Sequence, residues 1–233
     1  MISGGHRGRS AANAALIKGV AENNVRCLDL NSAGLDQRQL GLLVSAIPKS
    51  SSIETLNLGN NRLGDEGCEH IAAACRANSS VMAVDLCENG IADRGASAIA
   101  RAIVHHPTLN HLYLGFNNIG AHGADSLARA LRLSCPQLTT LDLSHNRIGD
   151  AGACALAGSL ISLTTSNLRV LHITDNGIGD AGAIMMASAV SQTPSLRSLH
   201  IENNPIGSEG CKMLSEAMAN NPDKRIYLQT GFS

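Results

Sequence analysis

The sequence has no tryptophan and only four aromatic side chains, Tyr113, Phe116, Tyr227 and Phe232, in 233 residues. A thick globular core draws much of its buried area from aromatics. Their scarcity argues for a slim core, one layer deep and filled by Leu, Ile, Val and Ala. An excess of one charge is missing too: 18 Lys and Arg stand against 19 Asp and Glu, a formal net charge of −1, with no basic block. Sequence-independent nucleic-acid binding needs a row of phosphate-neutralising cations, so no nucleic-acid partner is expected. No apolar run approaches the roughly 20 residues of a membrane-spanning helix, so no membrane partner is expected either.

Seven cysteines, an odd number with no CxxC pair, fit a reduced intracellular chain better than a disulfide framework. The opening residues, MISGGHRGRS, lack the apolar stretch of a secretory leader. A cytoplasmic location is expected. Arg7 and Arg9, with no acid before Glu22, leave a mitochondrial presequence as the alternative. Catalytic signatures are absent as well: no GxSxG elbow, phosphate loop, HExxH or nucleophile–base pair is present. No enzyme, cofactor or metal site is expected.

What the chain does have is self-similarity. A phrase with apolar residues at positions 1, 4, 6 and 11 and Asn at position 9 begins at Val25, Ile53, Val81, Leu109, Leu138, Leu168 and Leu196, the first copy departing from it with Ala33 at position 9. In the third copy it reads Val81, Val84, Leu86, Asn89, Ile91; in the sixth, Leu168, Leu171, Ile173, Asn176, Ile178. A glycine follows at position 15 in six copies: Gly67, Gly95, Gly123, Gly152, Gly182 and Gly210. Four residues later stand Ile71, Ile99, Leu127, Leu156, Met186 and Leu214, and four after that Cys75, Ile103, Leu131, Leu160, Val190 and Met218.

Apolar alternation marks a short strand, and the later spacing of four marks one face of a helix. Each copy is therefore a strand–helix unit, with strands stacked in parallel through right-handed crossovers. The Asn column, Asn61, Asn89, Asn117, Asn146, Asn176 and Asn204, falls where the chain leaves the strand. Backbone groups buried there would cost about 1–3 kcal/mol each if unpaired, and an inward Asn supplies both donors and an acceptor. The GDEG and GDAG phrases recur with the repeat, so they read as turn-to-helix starts, with Asp65, Asp150 and Asp180 near helix N-termini.

From Val25 to about residue 222 the chain resembles ribonuclease-inhibitor-like leucine-rich-repeat proteins, through the LxxLxLxxN(x)(L/I)GDxG phrase at Leu141–Gly152 and Leu171–Gly182. The resemblance implies an α/β fold: a curved, horseshoe-shaped solenoid with parallel strands on the concave face and helices on the convex face. Members of that family mostly bind proteins; some activate small GTPases, cap actin filaments or sense ligands. The leading expectation is a non-catalytic scaffold or adaptor that binds a protein on its concave face. The alternatives are a regulator of a small GTPase, though activators in this family carry more repeats and an acidic tail, or a structural subunit of a large assembly.

A solenoid has to hide its end faces. Ala12, Leu16 and Val20 repeat the helix spacing upstream of the first copy, with Ser10 as a candidate N-cap. Residues 1–9 then read as a flexible tail, 10–24 as a capping helix, 25–222 as seven repeats and 223–233 as a terminal strand and tail. Ile226 and Leu228 match strand positions of an eighth copy, and Lys224 and Arg225 flank it as charges that discourage edge pairing.

The register also identifies which side chains leave the strand face outward. The central column reads Asp29, Asn57, Asp85, Tyr113, Asp142, His172, His200, Tyr227. Tyr113 and Phe116 stand out as aromatic anchors. The expected partner-binding set is Asp85, Glu88, His111, Tyr113, Phe116, Asp142, His145, His172, Asp175, His200 and Glu202. Lys and Arg are scarce around it, so the expected protein partner presents a basic or mixed-charge segment. His172 and His200 should lie on adjacent strands roughly 4.8 Å apart.

Overall fold

Within each repeat, the buried leucine of the LxL phrase and its two neighbours form a three-residue strand. The computed structural model describes residues 4–162 and 167–228. Its strands are β1 (Cys27–Asp29), β2 (Thr55–Asn57), β3 (Ala83–Asp85), β4 (His111–Tyr113), β5 (Thr140–Asp142), β6 (Val170–His172), β7 (Ser198–His200) and β8 (Arg225–Tyr227). The helices are α1 (Gly4–Ala21), α2 (Gln37–Ala46), α3 (Gly64–Arg76), α4 (Asp93–Ile103), α5 (Ala121–Ser134), α6 (Gly149–Ile161), α7 (Asp180–Gln192) and α8 (Ser208–Ala219). All eight strands are parallel and pair in sequence order. Equivalent aliphatic residues meet across every pair, as with Leu56↔Val84, Leu112↔Leu141 and Leu171↔Leu199.

The curvature follows from dimensions. Strands stack about 4.8 Å apart, whereas packed helices need 8–10 Å. The strand side is therefore concave and the helix side convex. Between them lies the single apolar layer: Leu56, Leu112, Leu141 and Leu171 from the strands meet Ile71, Leu127, Leu156 and Met186 from the helices, all fully buried.

Two backbone-satisfying ladders link successive repeats. Asn117 Nδ2 donates to the carbonyls of Leu86 and Leu114 (both 3.0 Å), while its Oδ1 accepts from Asn89 N (3.1 Å) and Ile91 N (3.0 Å). Each Asn of the column thus serves the repeat before it. A second ladder runs the other way. Asp93 Oδ1 accepts from Gly120 N (2.7 Å) and Gly123 N (2.9 Å), capping α5 of the following repeat. Asp65 does the same for α4, Asp150 for α7 and Asp180 for α8.

Where the preceding repeat lacks that Asp, the helix starts differently. The tetrapeptide GDAG occurs at 149–152 and at 179–182. Ahead of α7, capped by Asp150, Gly179 is extended (φ −99°). Ahead of α6, position 121 is Ala, and Gly149 takes φ +57° and donates its N–H to Asn176 O at 3.0 Å. α3 has no upstream Asp either, and opens on Gly64 at φ +59°. The left-handed region is one that glycine enters without steric cost. At position 15 the glycine has another role: an added Cβ on Gly182 would lie 2.8 Å from Asp150 Oδ1 and 2.7 Å from Ile178 Cγ2.

The ends depart from the sequence expectation in four ways. α1 begins at Gly4, so residues 4–9 are helical rather than a tail, and Ser10 lies inside the helix, receiving a bond from Gln39 Nε2 (3.1 Å) instead of capping. The buried face of α1 is Asn13, Ile17 and Val20; Ala12 and Leu16 are exposed. The face is rotated by one residue because α1 packs on α2 and the first turn, where Asn13 Nδ2 donates to Ala33 O (3.2 Å). Met218, expected in the buried stripe, is 43% exposed because no helix follows α8 among the described residues. Lys224 is not an edge charge: it is 7% exposed, and its Nζ donates to the carbonyls of Val190 and Thr193 at the end of α7. A cation there meets the negative helix terminus. Arg225 does stay exposed, and Phe232 lies outside the described residues.

Candidate functional site

The strand register assembles the outward column that the spacing predicts: Asp85 pairs with Tyr113, Tyr113 with Asp142, Asp142 with His172 and His172 with His200. Side chains alternate along a strand, so these groups share the concave face with the residues two positions earlier, such as His111. Asp85 and Asp142 each spend one oxygen locally, on Cys87 N (2.9 Å) and Ser144 N (2.8 Å). Asp85 also shares a hydrogen bond with the Cys87 thiol; neither carboxylate has a cationic partner among the described residues, nor does Glu88. Burial, then the nearby Asp142 and Asp85 carboxylates, raises the Tyr113 hydroxyl's pKa, so it stays a neutral donor. The His111 ring lies 6.3 Å from that of Tyr113, stacked at 10°, and its buried Nδ1 has no partner among the described residues.

A second group forms the rim where the chain leaves the strands. Ser32, Asn60, Glu88, Phe116, His145, Asp175 and Asn203 all adopt φ between 52° and 54°. This left-handed step, immediately before each repeat's Asn or its equivalent, turns those side chains outward as a row. Phe116 is 54% exposed and stacks on His145 with centroids 3.9 Å apart. His145 Nδ1 in turn bonds Asp175 Oδ2 at 2.8 Å. A bulky aromatic with positive φ is an outlier.

The C-terminal part of the predicted set is largely self-satisfied. His172 and His200 stack at 4.0 Å, and His200 stacks on Tyr227 at 4.1 Å, making a three-ring column. Burial, and then His200, holds the His172 pKa below the ordinary imidazole range. Glu202 accepts from Thr174 Oγ1 (2.8 Å) and lies 3.6 Å from His200 Nδ1. The predicted residues thus fall into three groups: an open acidic–aromatic centre (Asp85, Glu88, His111, Tyr113, Asp142), an aromatic rim (Phe116, His145, Asp175) and a closed histidine stack (His172, His200, Glu202). Tyr227 belongs with the stack and was missing from the predicted binding set, although its column position was legible.

Among the described residues, no group of three or more His, Cys, Asp or Glu side chains could hold a metal ion. All seven cysteines are free. Burial pushes the thiols of Cys68, Cys75 and Cys135 up to about 12, and raises Cys87 further, with Asp85 beside it. Such thiols stay protonated and unreactive. No helix among the described residues is long and apolar enough to cross a membrane.

Comparison with known proteins follows the same geometry. Residues 49–72, 77–100, 105–128, 134–157, 165–187 and 192–215 match the family model described as Leucine Rich repeat. No curated protein matches the chain. Among solved structures, it is similar to a TLR13–ssRNA13 complex at 17% identity, covering 93% of this chain and 34% of that one, TM-score 0.52. It is also similar to the leiomodin-1 actin-binding site 2 (14% identity, 90% and 88% coverage, TM-score 0.45). A third is the tropomodulin C-terminal domain of Caenorhabditis elegans (13% identity, 91% and 93% coverage, TM-score 0.48). At 17% identity the likeness to TLR13 is one of fold.

Proposed function

Because the chain belongs to the leucine-rich-repeat family, with a strand and a helix in every repeat, we propose that it is a non-catalytic scaffold or adaptor. It takes a protein partner on the concave face, centred on Tyr113. The observation that supports this most directly is the in-register row Asp85–Tyr113–Asp142, two carboxylates with no cationic partner among the described residues on either side of an aromatic ring. A Lys or Arg of the partner set over Tyr113 would gain both a cation–π contact and two carboxylates. The partner segment is therefore basic or mixed in charge. Phe116 on the rim supplies the apolar anchor next to this charged centre.

The test begins with a photoreactive phenylalanine at position 113, used to capture the partner in cells, and at position 101 on the helix side as the control. The captured protein is then purified and its affinity measured. Replacing Tyr113 and Asp142 together by Ala is expected to weaken binding at least about tenfold, the scale of a hot-spot loss. Unchanged affinity in the double variant would sink the concave-face reading. Should the captured protein be a GTPase, a faster hydrolysis rate in the presence of this chain would assign the regulatory role instead of the scaffold.

A further inference from the structure

Charge on the convex side runs along α3, α4 and α5, breaks off at α6 and α7, and returns on α8 with Glu209, Lys212 and Glu216. Arg76, Arg94, Arg101, Arg129 and Arg132 are exposed on α3, α4 and α5. Glu69 pairs with Arg94 at 2.7 Å and Asp125 with Arg129 at 2.8 Å, leaving Arg76, Arg101 and Arg132 with no ion pair among the described residues. α6 and α7 are the reverse. Their only charged residues, Asp150 and Asp180, are occupied in capping the next repeat. On their outer side Ala151 is exposed and Cys154, Ala155, Gly158, Ile184 and Met185 are half-buried, with Ser188, Ser191 and Gln192 of α7 as uncharged polar groups. Each is covered by the core and by the helices before and after it, which leaves this weakly polar outer side without a partner among the described residues.

The charged α5 and the uncharged outer side of α6 meet in a groove of about 410 Å³. Arg132, and Arg129 with its partner Asp125, form one wall; Cys154, Ala155, Gly158 and Ser162 form the other. Next to Arg132, Leu133 is 67% exposed, more than any other large hydrophobic among the described residues. We propose that this groove receives an α-helix of a partner protein, acidic along one edge and apolar on the adjoining face.

Charge and shape both select that occupant. Two arginines three residues apart on α5 stand one turn apart on the same face. Arg132 is free to grip a carboxylate in bidentate fashion, and Arg129 can take a second one turn away by exchanging its exposed pair with Asp125, a contact of little net worth. The groove runs beside helices of 13 and 14 residues, about 20 Å of helix length. Its alanine and glycine wall admits the close 8–10 Å approach of helix axes. A lipid surface is served less well, since interfacial insertion needs large apolar side chains and α6 offers mainly Ala, Gly and Cys. This interface is separate from the concave one, so either reading can fail alone.

The probe is a synthetic peptide of about 18 residues, long enough to hold a helix, with Glu at every fourth position along one edge and Leu and Ala on the next. It is titrated into the full chain by fluorescence anisotropy, beside a twin carrying Gln for Glu. Expected are saturable binding of the Glu peptide, little of the Gln twin, and a loss of about tenfold in Arg129→Glu with Arg132→Glu. That variant should gain affinity for a Lys version of the peptide. Gly158→Met is the second arm: a Cβ at Gly158 meets nothing within 4 Å, so the side chain fills the groove and should block binding without disturbing the fold. Equal binding of the Glu and Gln peptides, or retention in both variants, would overturn the proposal. So would stronger uptake onto phosphatidylcholine vesicles with about a quarter phosphatidylglycerol, or arginine-dependent self-association in sedimentation.

Discussion

Phe116 sets two local terms against each other. Holding a residue with a Cβ in the left-handed region costs about 1 kcal/mol, and the exposed stack on His145 returns about 0.5 kcal/mol or a little more. Asparagine enters that region more easily, and it occupies the equivalent positions 60 and 203. Phe116→Asn is therefore expected to leave the unfolding free energy, read from urea titration, within about 0.5 kcal/mol of the parent. Affinity for the concave-face partner should fall more than about fivefold. A stability loss equal to the binding loss would make Phe116 a packing residue. The outward column was readable from strand alternation alone, so Asp85, Tyr113 and Asp142 could be picked out from the sequence. The left-handed rim was not, because Ser, Asn, Glu, Phe, His and Asp share no residue type that announces a positive φ. Nor could spacing show that Asp175 is occupied by His145, or Glu202 by Thr174; that depends on where flexible side chains meet.

Among elements, identical residues behave differently according to what the preceding repeat supplies. GDAG opens α6 and α7 in two conformations because position 121 is Ala and position 150 is Asp. Ala121→Asp should give α6 the cap that α7 enjoys, with Gly149 moving to the extended form of Gly179. A side-chain cap is worth about 1 kcal/mol, and guanidinium denaturation should show a gain of about that size. A loss would mean that Gly149 cannot leave the left-handed region. Repeat length, strand register and helix stripe were all visible in the sequence, because each rests on periodic burial. The terminal elements were misread for the same reason: α1 and β8 have one neighbour each, so periodicity no longer dictates which face is covered. Lys224 is the clearest case, a charge that reads as solvent-facing and instead closes the end of α7.

For the whole molecule, two histidines make folding sensitive to acid. His106 is buried just ahead of the fourth repeat. Its Nδ1 accepts from Leu109 N (3.1 Å) and its Nε2 donates to Cys75 O (3.1 Å), which fixes a neutral ring. Burial lowers its pKa from the usual 6.5, as burial and His200 lower that of His172. Between those lowered values and 6.5 the unfolded chain binds protons that the folded chain refuses. Stability is thus full above this window and falls as pH drops through it. Asn78 does the equivalent work one repeat earlier, donating to Ile47 O and Ser50 O (both 2.7 Å) and accepting from Val81 N (2.9 Å). His106→Asn should therefore fold normally at pH 7.5 and lose less stability than the parent at pH 5, as read from thermal melts. An unchanged pH slope would remove His106 from the account.

The two ladders, Asn serving the repeat before and Asp the repeat after, also set how such an array can grow. Both groups lie within the first fifteen positions of their repeat, ahead of or at the glycine. Any insertion there would throw one link out of step with its neighbours. The copies that exceed 28 residues, starting at Leu109 and Leu138, carry their extra residues after Leu131 and after Leu160, past the last helix position of the stripe. Lineages can therefore lengthen this surface by duplicating whole units, and can vary the loops on the trailing edge freely, while the leading half of every unit stays locked to a common frame.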